Sequence, residues 1–154
     1  MIMDETIIDV IKGMLTPGIM ISACGLLLLG MNNKYSLVVN RIRTLNNEFR
    51  ELNDDHRDRR DCILIQLPLL IERMKLIRNT VWLYTISIAM FLFSSFFLGV
   101  YLVNGKTTIA TVSSLTLFIV ALLSMFLGIM YAAKEVLLGY KILRIETKNI
   151  LYKE

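Results

Sequence analysis

Three apolar blocks alternate with charged segments along the chain. The blocks cover residues 15–31, 81–103 and 109–133, and none contains Asp, Glu, Lys, Arg or His. Roughly 20 helical residues cross a hydrocarbon core of ~30 Å. The second and third blocks have length to spare, and the first only just spans. The pattern predicts membrane helices over 15–31, 80–103 and 108–133.

Between the blocks the periodicity changes. Met31, Tyr35, Val38, Ile42, Leu45, Phe49 and Leu52 follow a 4-3 spacing with mostly polar residues between. Ile63, Leu67, Leu70, Met74 and Ile77 repeat it after the polar stretch 53–61. Apolar seams of this kind pair helices. Residues 32–79 are therefore expected to form an antiparallel helical hairpin, kinked at Pro68, which leaves the Leu64 carbonyl without its helical donor. Val136, Tyr140, Leu143 and Ile150 suggest a further helix over 134–154, packed on the hairpin. At the other end, Ile7, Ile8, Ile11 and Met14 give 4–14 the spacing of an amphipathic helix lying on the membrane surface. Thr16 and Pro17 then suit the cap and first position of a new helix. The expected fold is all-α: three transmembrane helices with a cytoplasmic hairpin and C-terminal helix forming a small coiled-coil-like bundle.

Charge adds an orientation. Of the 17 Lys and Arg, all but Lys12 and Lys106 lie in 32–79 and 134–154. Basic loops stay in the cytoplasm, so the N-terminus is expected outside and the C-terminus inside. A cleaved signal peptide begins basic, whereas residues 1–13 carry Asp4, Glu5 and Asp9 against Lys12 alone. The stretch Ile21-Ser22-Ala23-Cys24-Gly25 looks like a lipoprotein cleavage box, but the apolar run continues through 26–29. The net charge of +4 reflects the topological bias and is no argument for nucleic-acid binding. Cys24 and Cys62 fall in different surroundings, and no disulfide is expected.

Candidate chemistry is sparse. Asp54, Asp55, His56, Asp58 and Asp61 could be read as a hard-cation site. The interleaved Arg57, Arg59 and Arg60 favour a solvated turn with local ion pairs. His56 is the sole histidine, which excludes multi-histidine metal sites. No phosphate loop, nucleophile elbow or paired-cysteine motif is present. No enzyme activity, metal or cofactor is expected. Small residues recur at i, i+4 as Gly18 and Ser22, as Ser95 and Gly99, and along Ala121, Ser124, Gly128 and Ala132. Such faces let membrane helices approach closely, within one chain or between copies.

Two functions fit these features. One is a homo-oligomeric ion-conducting channel lined by the first membrane helix, with Thr16 and Ser22 on the path and Asn32 and Asn33 at its inner mouth. The other is a non-conducting membrane adaptor whose cytoplasmic hairpin binds a protein partner. Lys34, Arg41 and Arg43 lie within a few turns of the inner surface and are candidates for anionic lipid headgroups.

The residues Leu15-Thr16-Pro17, the apolar 19–29 stretch with Ser22 and Gly25, and Val38-Val39-Asn40-Arg41-Ile42-Arg43 resemble a bacterial membrane family, the domain of unknown function 2721. Lys134-Glu135-Val136 through Leu143-Arg144 also fits its pattern. Members often carry Asp at the position of Asn40 and Arg at that of Lys34. The resemblance implies a three-helix protein of the bacterial inner membrane, and no activity.

Overall fold

A computed structural model of the chain describes the backbone of residues 2–52, 57–103 and 108–151. Side chains 1–11, 14, 58, 101–110, 145, 146 and 148–154 are outside the description, as are those of 53–56. Asp54, Asp55 and His56 of the expected solvated turn and the 104–107 loop fall outside the described residues.

Three helices account for the described backbone: α1 (Ile2–Glu51), α2 (Arg57–Val103) and α3 (Thr108–Leu151). They have 50, 47 and 44 residues, hence lengths of about 75, 70 and 66 Å. Each is long and apolar enough to cross a membrane. The chain is an all-α, multi-pass membrane protein.

The helix boundaries differ from expectation at the N-terminal end. Residues 4–14 are not a separate helix, because α1 runs through Thr16 and Pro17 without interruption. A proline in a helix withholds one N–H and presses its ring on the carbonyl four residues back. Here that residue is Gly13, where an added Cβ would fall 3.1 Å from Leu98 Cδ2. Pro68 likewise lies inside α2 and is exposed. The tail 134–154 is not a new element either: α3 continues through it as far as Leu151.

The helices contribute to two compact units. The first comprises 1–29 and 81–128, and the second 30–80 and 129–154. Cys24, Phe91 and Ala121 form the core of the first unit, with Met20, Ile88 and Phe118 packed against it. The Phe91 and Phe118 rings meet edge to face at 5.4 Å. Tyr84 lies over Gly128 so closely that a Cβ there would fall 2.6 Å from its ring. The small face of α3 is thus used within the chain. Gly18, by contrast, has nothing within 4 Å of an added Cβ.

Hydroxyl groups tie this unit together. Ser87 Oγ donates to the Ala121 carbonyl at 2.7 Å, and Ser124 Oγ to the Leu83 carbonyl at 3.1 Å. Ser94 and Ser114 exchange bonds, each hydroxyl donating to the other's carbonyl at 2.9 and 3.0 Å. In a medium without water, a hydroxyl must find such a partner.

The second unit is built on Met31, Val38 and Leu45 of α1, Ile63, Leu70 and Ile77 of α2, and Ile142 of α3. Arg59 closes the α1–α2 hairpin by clasping both Glu48 oxygens, at 2.6 and 2.9 Å. This bond holds the Glu48 carboxyl below its ordinary range. The adjacent Arg60 guanidinium lies over the Phe49 ring. Cys24 and Cys62 are both buried free thiols.

Burial recurs every seventh residue. The α1 series is Pro17, Cys24, Met31, Val38 and Leu45, and the α2 series is Ile63, Leu70, Ile77, Tyr84 and Phe91. On α3 it is Ser114, Ala121, Gly128, Glu135 and Ile142. This last register corrects the expected seam. Val136, Tyr140 and Leu143 are exposed, and the buried positions lie one residue earlier. Tyr35 of the α1 seam is also exposed.

Candidate functional site

A second seven-residue series on α2 is polar throughout: Gln66, Arg73, Thr80, Ser87 and Ser94. All but Arg73 are buried. Each has found a partner. Gln66 Nε2 donates to Cys62 Sγ at 3.3 Å, and Thr80 Oγ1 to the Leu76 carbonyl at 3.0 Å. Ser87 and Ser94 reach across to α3 as described. Arg73 holds the most consequential contact of the series.

That contact is with Glu135, which is fully buried. Arg73 Nε donates to Oε1 at 2.6 Å, and Lys34 Nζ donates to Oε2 at 2.9 Å. One carboxylate thus joins all three helices within the second unit. Burial alone pushes the Glu135 carboxyl up, but the hydrogen bonds from Lys34 and Arg73 and their charges outweigh it and hold the group below its usual range. Glu135 therefore stays ionised at neutral pH. Arg73 passes over Gly139, where an added Cβ would lie 3.3 Å from Cζ. The glycine leaves the space that the guanidinium plane needs.

The candidate residues read from sequence do not converge on one site. Thr16 is exposed and borders an apolar recess of about 300 Å³ in the first unit, lined also by Gly13, Pro17, Ser94, Leu98 and Phe118. Ser22 is exposed, and its hydroxyl donates to the Gly18 carbonyl of its own helix at 3.2 Å. Asn32 and Asn33 are exposed on α1. Lys34 places its ammonium on Glu135. Arg41 and Arg43 are exposed, and Arg41 adds to the attraction on Glu48. Among the described residues no group of three His, Cys, Asp or Glu is arranged to hold a metal.

Sequence reasoning singled out neither Glu135 nor Arg73 as a site residue, because a charged side chain outside the apolar blocks carries no sign of burial. A signal was present. Polar residues recur on α2 at the interval that marks a buried seam, and Glu135 falls in register with Ala121 and Gly128.

A family model described as "Protein of unknown function (DUF2721)" matches residues 14–145. The chain belongs to this family. The matched span includes Lys34, Arg73 and Glu135, together with every hydroxyl bond that joins α2 to α3. No curated protein and no solved structure matches the chain.

Proposed function

We propose that this family member is a non-catalytic, non-conducting membrane adaptor, whose second unit is a coiled-coil-like bundle that docks a protein partner. The observation that supports this reading is the outer surface of that unit. Leu64, Ile65, Pro68 and Ile71 of α2 stand at i, i+1, i+4 and i+7. Val136, Leu137, Tyr140 and Leu143 of α3 repeat the same offsets. All eight are exposed. Arg73 and Glu135 pair these two helices within the second unit. Two exposed apolar stripes within one unit are the kind of surface that supports a partner site. Leu64 and Ile65 stand about 22 Å along α2 from Thr80, beyond the reach of the hydrocarbon core. The distribution of Lys and Arg puts the second unit on the cytoplasmic side, with the N-terminus outside.

The hydroxyls of the first unit favour the same reading. Ser87, Ser94, Ser114 and Ser124 close on backbone carbonyls of the chain itself and leave no polar row of their own for an ion path. A homo-oligomeric channel is the second reading, favoured by the exposure of Thr16, Ser22, Asn32 and Asn33 on α1. Their hydroxyl and amide groups are the polar groups that such a path would use.

The deciding experiment combines the particle mass in nanodiscs, counted in protomers, with ion flux into liposomes. A monomer or dimer without flux supports the adaptor. An assembly of three or more copies with flux that Ser22→Leu abolishes overturns it in favour of the channel.

A further inference from the structure

The Glu135 cluster sets two cations against one carboxylate, so it carries one uncompensated positive charge. Its donors are also incompletely used. Arg73 engages Glu135 through Nε alone, and Nη1 and Nη2 donate to none of the described residues. Lys34 spends one of its three N–H groups on Oε2. The two cationic side chains are 28% and 40% exposed, whereas Glu135 is 0% exposed. The carboxylate is sealed in, and the two cations that hold it are partly exposed.

The level of the cluster matters as much as its charge. Lys34 follows Met31, the end of the first apolar block, by three residues, or about 4.5 Å of helix. Glu135 follows the end of the third block by two residues, about 3 Å. Arg73 precedes Thr80 by seven residues, about 10 Å, and its side chain is long enough to meet Glu135. The headgroup layer occupies several ångströms on each side of the hydrocarbon core. The surplus charge therefore stands where phosphates of a bilayer stand.

We propose that Lys34 and Arg73 form a phosphate-binding site at headgroup level, with Glu135 as the buried residue that orients them. The terminal guanidinium nitrogens present a planar fork that matches two phosphate oxygens, and the ammonium supplies a further donor. Glu135 fixes the Arg73 side chain through Nε, so little rotamer freedom is lost when an anion arrives. Gly139 keeps the guanidinium plane in place from behind. The ligand is a phosphate group, carried by an anionic lipid or free in solution.

The test is native mass spectrometry of the full chain in detergent, with phosphatidic acid, phosphatidylcholine or inorganic phosphate added. The wild-type chain is expected to retain phosphatidic acid over phosphatidylcholine. Arg73→Gln leaves Glu135 paired with Lys34 and is expected to lower that preference about five-fold, the equivalent of about 1 kcal/mol per contact. Lys34→Gln is the matching variant from another helix, so a poorly folded Arg73→Gln does not end the test. Glu135→Gln keeps both cations but loosens their positions, and is expected to lower the lipid preference by less than Arg73→Gln does while losing thermal stability. Lys75→Gln, an exposed cation on the same helix, is expected to change nothing. Competition by millimolar inorganic phosphate assigns the site to free phosphate, and its absence to the lipid. Unchanged lipid preference in both Arg73→Gln and Lys34→Gln overturns the proposal. So does an equal loss in Lys75→Gln, or a loss in Glu135→Gln that matches Arg73→Gln.

Discussion

Glu135 is the residue on which the second unit turns. A buried carboxylate is tolerated when donors satisfy it, and removing one side of such a cluster leaves a charge stranded. Glu135→Gln leaves Lys34 and Arg73 facing each other and is expected to cost about 3 kcal/mol, read as a lower melting temperature in nanodiscs. The pH dependence has a definite sign. The folded carboxyl titrates below its unfolded value of about 4.3, so its contribution is complete above that value. It is lost as the pH falls through the folded value. Melting curves between pH 6 and pH 3 should show the wild type losing stability that Glu135→Gln lacks throughout. Gly128 is the matching residue of the first unit. Gly128→Ala drives a Cβ into the Tyr84 ring and is expected to cost about 1–3 kcal/mol. Gly18→Ala, which meets nothing, should be neutral in the same thermal assay.

At the scale of the element, α2 carries two seams three residues apart, one apolar and one polar. The apolar seam was legible in the sequence at Ile63, Leu70 and Ile77, because periodicity of apolar residues is what such reasoning counts. The polar seam was not, since Gln66, Thr80 and Ser87 look like surface residues until their partners are known. The same bias put the α3 seam one residue out of place. Val136, Tyr140 and Leu143 are the more apolar choices, but Glu135 and Ile142 are the buried ones. The three membrane helices were legible from block length alone. The run of α1 through Pro17 was not, because a Thr-Pro pair is an ordinary helix-start signal. Two substitutions test the elements. Ser94→Ala and Ser114→Ala should show a coupling of about 0.6–1.7 kcal/mol in a double-mutant cycle of unfolding in detergent. Pro68→Ala returns a donor to the Leu64 carbonyl and should raise the melting temperature, with an upper bound of about 3 kcal/mol.

At the scale of the whole molecule, each of the two units is held together by different chemistry. The first unit uses neutral hydroxyls and small residues, which suit a medium where charge is expensive. The second uses ion pairs, Arg59 with Glu48 and the Glu135 cluster. Its two apolar outer stripes are exposed. A Tyr140→Arg, Leu137→Arg chain should keep its helical circular dichroism and melting temperature while changing the mass of any particle built on that face. The Glu135 cluster also sets an order of manufacture. Lys34 is made 101 residues before Glu135, and Arg73 62 residues before it. While the ribosome is still working on the last helix, both cations are unneutralised, the state in which basic residues most strongly resist translocation. The carboxylate that ties the three helices of the second unit together is thus the last of the cluster to be synthesised.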